Sequence, residues 1–158
     1  MDALAPSDRQ GRLALERELV DDRRVPESRP VFSSPGDLAA PAGYSQVVSI
    51  PSGRLVWTSG QVPMDTERKI VGAGDWAAQT RAVFGNLERA LRAGGAGWAD
   101  VVKLTLFVVD VSELDTIRAV RDGFVDTANP PTSSLVQVAG LFHPDVLIEI
   151  EAVAWRPG

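Results

Sequence analysis

The segment from Val146 to Trp155, VLIEIEAVAW, constrains the fold most strongly, because its strict alternation predicts a β-strand with two unlike faces. Successive side chains of a strand point to opposite sides of a sheet, so one face of this strand is apolar throughout. The other face interleaves Glu149 and Glu151 with apolar residues. The strand therefore belongs to a sheet whose first face is covered by a core, and whose second face is either wet or covered in part.

Two segments with apolar residues at helical spacing predict the elements that cover the first face. GDWAAQTRAVFGNLERALRAGG has an apolar stripe at this spacing, with Asp75 as N-cap and Gly94 just past the last turn. SELDTIRAVRDGFV predicts a second helix that begins at Ser112 and has Asp115 in a capping-box position.

Strands are predicted before, between and after the helices. YSQVVSI, which starts at Tyr44, and RLVWTSG are separated by the turn signal PSG, as a hairpin requires. DVVKLTLFVVD, PPTSSLVQVAGL and the final segment complete the order ββαβαββ. Two helices in this order can cover only one face, which predicts an α+β fold with both helices on one side of a mixed sheet.

The chain of 158 residues fits one domain with an appendage. Residues 1–30 are charged and end in DDRRVPESRP, which is typical of a linker. Within them, a short amphipathic helix that begins near Ser7 and a disordered segment remain equally good interpretations. The predicted domain covers residues 31–158.

The second face of the sheet predicts an oligomer. Leu147, Val153 and Trp155 share this face with the two glutamates, and a contiguous apolar patch of this kind usually marks an interface. We therefore expect another copy of the chain to cover it.

Composition excludes several classes of protein. The 16 Lys and Arg against 21 Asp and Glu give a net charge of −5 without a basic stripe, which disfavours a nucleic-acid partner. Cysteine is absent and His143 is the only histidine, so thiolate nucleophiles and sites built from Cys or several His are excluded. His143 lies in the loop segment LFHPD, where a solvated histidine is expected.

A membrane partner and a secretory route are not expected. No run approaches the roughly 20 apolar residues of a membrane span. The start MDALAPSDRQ lacks the basic and then apolar pattern of a signal peptide. The expected location is the cytoplasm.

Five segments, taken together and in order over residues 40–156, resemble the RidA family, also called YjgF or UK114. They are AGYSQVV, RLVWTSGQVP, AAQTRAVFGNLERAL, DVVKLTLFVVD and LIEIEAVAW. The resemblance implies a chorismate-mutase-like fold that assembles as a barrel-shaped homotrimer, with small-molecule pockets between neighbouring subunits. It also implies hydrolysis of reactive imines and enamines to a keto acid and ammonia, with no metal or organic cofactor.

The resemblance also implies site residues. Tyr44 of GYSQ matches the pocket tyrosine of the family, and Gly60 of SGQ matches the glycine whose backbone approaches the ligand. Glu149, the first acid of EIEA, matches the glutamate that holds or activates the attacking water. A carboxylate suits this role, because it can accept a proton from water and pass it to the leaving amine.

One segment departs from the family pattern. Members that act on 2-imino acids carry an arginine in a PAR motif, whose planar fork grips the substrate carboxylate. Anchored on VQV, this chain has Ser133 at that position, and Leu135 is counted with it among the ligand-binding residues. Arg118, where many members have asparagine, either supplies the missing cation from the helix or is a solvated helix residue.

Two functions follow from these residues. The first is a RidA-type hydrolase in which Glu149 acts on water, with a substrate that either lacks a carboxylate or reaches Arg118. The second is a metabolite-binding or accessory protein that keeps the pocket without the chemistry. A ribonuclease is disfavoured by the acidic charge and by the lack of a histidine pair.

Overall fold

The computed structural model describes residues 29–158. The predicted extension and its helix near Ser7 therefore lie outside the described residues, apart from residues 29 and 30. The elements in chain order are β1 (Val31–Ser33), β2 (Val47–Ser49), β3 (Arg54–Trp57), α1 (Trp76–Ala93), β4 (Val101–Val108), α2 (Leu114–Arg121), β5 (Thr132–Gln137) and β6 (Ile148–Arg156), with short 3₁₀ turns at Trp98–Asp100 and Val111–Glu113.

The main sheet has the strand order β3-β6-β4-β5, and both helices pack on one of its faces. Strand β6 is antiparallel to β3 and to β4, whereas β5 is parallel to β4, so the sheet is mixed. Buried and partly exposed residues alternate along β4 and through most of β6, as expected for strands with one covered face. The predicted α+β architecture, with two helices on one side of a mixed sheet, is confirmed.

Helix α1 begins and ends where the sequence predicts. The carboxylate of Asp75 accepts a hydrogen bond from the Ala78 N–H at 2.9 Å, and Gly94 is the C-cap. Its apolar stripe supplies four side chains with no exposed surface, which form the centre of the core with β4 and β6. These four are Val83, Phe84, Leu87 and Leu91.

Helix α2 begins later than predicted, at Leu114 rather than Ser112. The carboxylate of Asp110 accepts a hydrogen bond from the Ser112 N–H at 2.8 Å, which closes a 3₁₀ turn over Val111–Glu113. The upstream residue Asp110 is thus the cap of this segment, in place of the predicted Ser112. Asp115 is not part of a capping box; its Oδ1 lies 3.7 Å from Nη1 of Arg118 instead.

The predicted hairpin between β2 and β3 is wrong. Strand β2 pairs antiparallel with β1, whereas β3 pairs with β6. The buried Ser45 explains the difference, because its hydroxyl donates to the Pro130 carbonyl at 2.7 Å and ties this segment to the residues before β5. The PSG turn therefore separates two strands that belong to different sheets. The short strand β1 has no counterpart in the prediction.

The face of the main sheet opposite the helices, here called the open face, is partly covered by the chain itself. Trp155 is only 5% exposed, because the loop before β3 lies over it and its indole N–H donates to the Pro51 carbonyl at 3.1 Å. The expectation that another subunit covers Trp155 is therefore wrong. The apolar side chains left exposed on this face include Trp57, at 68%, and Val136, at 45%.

Two polar residues of α1 brace loops. The buried Gln79 donates to the Asp145 carbonyl at 2.6 Å and accepts from the Leu147 N–H at 2.9 Å, which fixes the start of β6. Asn86 donates to the carbonyls of Val62 and Met64 at 2.7 and 3.0 Å. Gln79 and Asn86 belong to the segment AAQTRAVFGNLERAL, and both of them hold loop backbone in place.

No helix in the described part of the chain is long and apolar enough to cross a bilayer.

Candidate active site

Four of the predicted site residues line one cavity of about 220 Å³ beneath α2, here called the α2 pocket. They are Tyr44, Arg118, Ser133 and Leu135. They come from three separate parts of the chain, namely the segment before β2, helix α2 and strand β5. The fold therefore brings together residues that are far apart in sequence.

Strand register explains why β5 contributes two residues to this pocket. Ser133 lies beside Leu104 of β4, and Leu135 lies beside Leu106. Both of these leucines are buried on the face that the helices cover. Neighbouring residues in paired strands point to the same side, so Ser133 and Leu135 point toward α2.

The α2 pocket combines an apolar wall with two cations. Its wall includes Leu106, Leu114 and Ile117, and its polar lining residues are Tyr44, Ser133, Arg118 and Arg121, with no carboxylate among them. Arg121 is not among the predicted site residues. Its spacing of i, i+3 from Arg118 was the available signal, because residues three apart share one side of a helix.

The remaining two predicted residues form a pair elsewhere. Glu149 folds over the backbone of Gly60, so that its carboxylate occupies the space that a Cβ at position 60 would need. The pair is held by backbone hydrogen bonds in both directions between Gln61 and Ile150, at 2.7 and 3.0 Å. A glycine is required at position 60 because only the absence of a side chain admits the carboxylate.

The two groups of site residues lie on opposite faces of the sheet. Glu149 is beside Phe107 in the β4–β6 register, whereas Ser133 is beside Leu104 on the same β4 strand. Positions 104 and 107 have opposite parity, so their side chains point to opposite sides. A single chain therefore does not bring Glu149 and the α2 pocket into one site.

The open face near Glu149 also carries Lys103, Ser134 and Glu151. The Lys103 ammonium donates to the Ser134 hydroxyl at 2.6 Å. Partial burial lowers the pKa of Lys103 below its usual range, and the negative charge of Glu151 opposes this change. The face is thus a mixture of apolar and charged groups.

His143 lies outside both groups. Its Nδ1 accepts a hydrogen bond from the Asp145 N–H at 3.1 Å, in the loop before β6, and its side chain is 45% exposed. This is the solvated loop histidine that the sequence indicates. Among residues 29–158, no three or more His, Cys, Asp or Glu side chains are grouped so that they could hold a metal ion.

Comparison with known proteins gives consistent matches over the described domain. The family model described as Endoribonuclease L-PSP matches residues 35–156. A 2-iminobutanoate/2-iminopropanoate deaminase of Salmonella typhimurium is 39% identical over 120 residues, which cover 74% of this chain and 92% of that protein. A RutC family protein of Synechocystis is 36% identical over 120 residues, or 75% of this chain and 90% of that protein.

Solved structures agree with these matches. YyfB of Yersinia pestis, a member of the conserved Rid protein family, has a TM-score of 0.75 and 36% identity, covering 81% of this chain and 99% of its own. TdcF of Escherichia coli, solved with bound serine, has a TM-score of 0.59 and 36% identity, covering 74% and 91%. The chain therefore belongs to the RidA/YjgF family and has the chorismate-mutase-like fold of that family.

Proposed function

We propose that this protein is a cytoplasmic homotrimer that hydrolyses a small imine or enamine to a carbonyl compound and ammonia. Each active site combines the α2 pocket of one copy with the Gly60–Glu149 pair of its neighbour. The observation that carries this proposal is the position of the two groups on opposite faces of one sheet. A site that uses both groups requires a second copy.

The open face supports assembly. Trp57 is 68% exposed and Val136 is 45% exposed, and both lie on the same face as Glu149. Large exposed apolar side chains on a sheet face are costly in water and typical of an interface. Covering this face with the α2 side of another copy also encloses Glu149.

The chemistry requires one group that moves a proton. The imine reacts in its form protonated at nitrogen, and Glu149 accepts a proton from water as the water oxygen attacks the imine carbon, which gives a neutral tetrahedral carbinolamine. The carboxylic acid then returns this proton to the amine nitrogen and the C–N bond breaks. As ammonia leaves, the hydroxyl group gives its proton back to the Glu149 carboxylate and becomes the carbonyl, and this last proton passes to ammonia, which leaves as ammonium. An enamine enters the same route after protonation at its terminal carbon.

The names of relatives support this reaction class. Relatives at 38% and 39% identity carry the name 2-iminobutanoate/2-iminopropanoate deaminase. Ser133 offers a hydroxyl where the resemblance places an arginine in members that act on 2-imino acids. We propose that this exchange changes the substrate preference of the protein relative to those members.

The proposal is tested by two measurements on the purified chain. Light scattering at working concentration is expected to give the mass of three copies, and freshly generated 2-aminoacrylate is expected to release ammonia faster than in buffer. A monomer, or a rate equal to the buffer rate with every imine tested, contradicts the proposal. A trimer that binds imine analogues without turnover favours the metabolite-binding alternative.

Substitution of Gly60 with alanine is expected to lower kcat by on the order of 10²-fold, because the new Cβ displaces the Glu149 carboxylate from its position. The effect on folding is expected to be small, since the clash is with the end of a flexible side chain. Steady-state kinetics and thermal unfolding check these expectations. Gly140→Ala is the matched control, because no atom lies within 4 Å of the Cβ it adds.

A further inference from the structure

We propose that Arg121 anchors the carboxylate of the substrate, so that the cation that grips the acid comes from helix α2 instead of strand β5. This inference rests on the proposed function and adds a specificity-determining residue to it. The substrate class is a short-chain imino acid or enamine acid with an uncharged side chain, and moving the anchor from β5 to α2 changes which of these acids the pocket prefers.

Burial is the first step of the argument. Arg121 is 9% exposed, although it lies in a helix at the edge of the core. A buried guanidinium is costly unless its five N–H donors find acceptors. The donors of a residue of this kind on a pocket wall therefore need acceptors from the chain itself or from a ligand.

The hydrogen bonds of Arg121 leave part of the guanidinium free. Its Nε and Nη2 both donate to Oδ1 of Asp122, at 2.9 and 2.7 Å. Within the described residues, Nη1 has no hydrogen-bond partner. The Asp122 carboxylate thus fixes the orientation of the side chain without using all of its donors.

A second contact also holds the guanidinium in place. Gly43 has a φ of +77°, and a Cβ at this position would lie 2.5 Å from Nη2 of Arg121. The backbone of the segment that carries Tyr44 therefore passes directly over the guanidinium. A fixed cation loses little conformational entropy when it binds a ligand, which makes it a better anchor than a mobile one.

The charge of the α2 pocket favours an anion. Arg118 and Arg121 line the pocket, whereas no carboxylate does, and Asp122 offsets part of the Arg121 charge through one carboxylate oxygen. The partner of Arg118 is Asp115, which is 99% exposed and 3.7 Å away. Such a solvated pair is weak, so Arg118 remains available as a second cation at the rim. Ser133 lines the same pocket with a small side chain and adds a hydroxyl donor.

The size and the apolar wall of the pocket limit the remainder of the ligand. A volume of about 220 Å³ suits a small acid, and Leu106, Leu114, Ile117 and Leu135 offer no partner for a second charge. A ligand that binds the two arginines through its carboxylate and packs a short apolar chain against these residues complements both parts of the pocket lining. The reacting carbon then faces the opening, where the Gly60–Glu149 pair of the neighbouring copy is proposed to lie.

The test compares an acid with its uncharged analogue. Calorimetric titration of the full-length protein with 2-oxobutanoate and with 2-oxobutanamide is expected to show at least about tenfold tighter binding of the acid. Arg121→Gln is expected to abolish this preference, and Arg121→Lys to restore it in part, since the charge returns without the planar fork. Arg81→Gln, which removes an exposed arginine of α1, is the control and is expected to keep the full preference.

A purely structural role of Arg121 predicts a different result. If Arg121 only supports the Gly43 backbone, its substitution weakens acid and amide equally, and the preference survives. That result overturns the proposal, as does a failure of 2-oxobutanoate to bind the unmodified protein. Should Arg121→Gln not fold, a crystal of the unmodified protein soaked in 2-oxobutanoate decides the question, because a carboxylate that does not contact Arg121 refutes the anchor.

These measurements are separable from the test of the proposed function. Binding of a keto acid requires no turnover, so the preference for the acid can hold in a protein that hydrolyses nothing. Conversely, ammonia release without any difference between acid and amide substrates preserves the hydrolase and removes Arg121 as its anchor.

Discussion

Replacing Glu149 with glutamine is expected to lower the rate of imine hydrolysis by about 10²- to 10⁴-fold, the usual contribution of a positioned general base. Glutamine has nearly the same shape and fits over Gly60, but it cannot accept a proton from water at neutral pH. The ammonia-release assay measures the loss, and calorimetric titration with 2-oxobutanoate measures whether ligand affinity is kept. We expect kcat to fall while affinity stays close to that of the unmodified protein.

Glu151→Gln is the matched control for this experiment. Glu151 lies on the same strand and the same face, two residues further along, and its neighbour across the sheet is Thr105. The control removes an equivalent negative charge from the open face but leaves the Gly60–Glu149 pair intact. Equal losses in the two variants indicate a general electrostatic effect, and an unchanged rate in Glu149→Gln rules out the proposed mechanism.

Replacing Phe84 with alanine is expected to lower the free energy of unfolding by about 3 to 5 kcal/mol, the usual cost of deleting a buried aromatic side chain. Phe84 has no exposed surface, and its ring centroid lies 5.4 Å from that of Trp98 and 5.0 Å from that of Phe124. The deletion leaves a cavity among these rings, where helix α1 meets the segment after α2. Few other single substitutions in the described domain remove as much buried apolar surface.

Urea denaturation followed by circular dichroism measures this effect at one fixed protein concentration, since the proposed assembly would make stability depend on concentration. Phe142→Ala is the control, because Phe142 is 61% exposed in the loop before β6. A surface substitution of this kind usually changes stability by no more than about 0.5 kcal/mol. Similar losses in both variants would show that Phe84 is not central to the core.

Local patterns of the sequence predict the helices and the long strands well. Helix α1 has a strong cap at Asp75 and a complete apolar stripe, and strand β6 alternates without a break through Ala152. Patterns of this kind depend on neighbours that are close in the chain. The wrong start of α2 has a local cause as well, since Asp110 competes with Ser112 for the same cap.

The errors in strand pairing and in the site have long-range causes. Strand β2 pairs with β1 because Ser45 is bound to Pro130, 85 residues away, and no local signal reveals that bond. Arg121 was not predicted as a pocket residue, because its burial depends on the backbone of Gly43, which is distant in the chain. The separation of Glu149 from Ser133 follows from register across β4, which becomes visible only when the strands are paired.

The bond between Gln79 and the Leu147 N–H has a consequence for dynamics. Glu149 follows Leu147 by two residues, so the start of its strand is held by an amide side chain of α1 together with the Val109 N–H, which donates to the Leu147 carbonyl at 3.1 Å. Local unfolding that breaks this hydrogen bond frees the Leu147 amide to exchange with solvent and loosens the start of β6 in the same event. Hydrogen exchange at one backbone position therefore reports how often the start of the strand that carries Glu149, the proposed general base, opens locally.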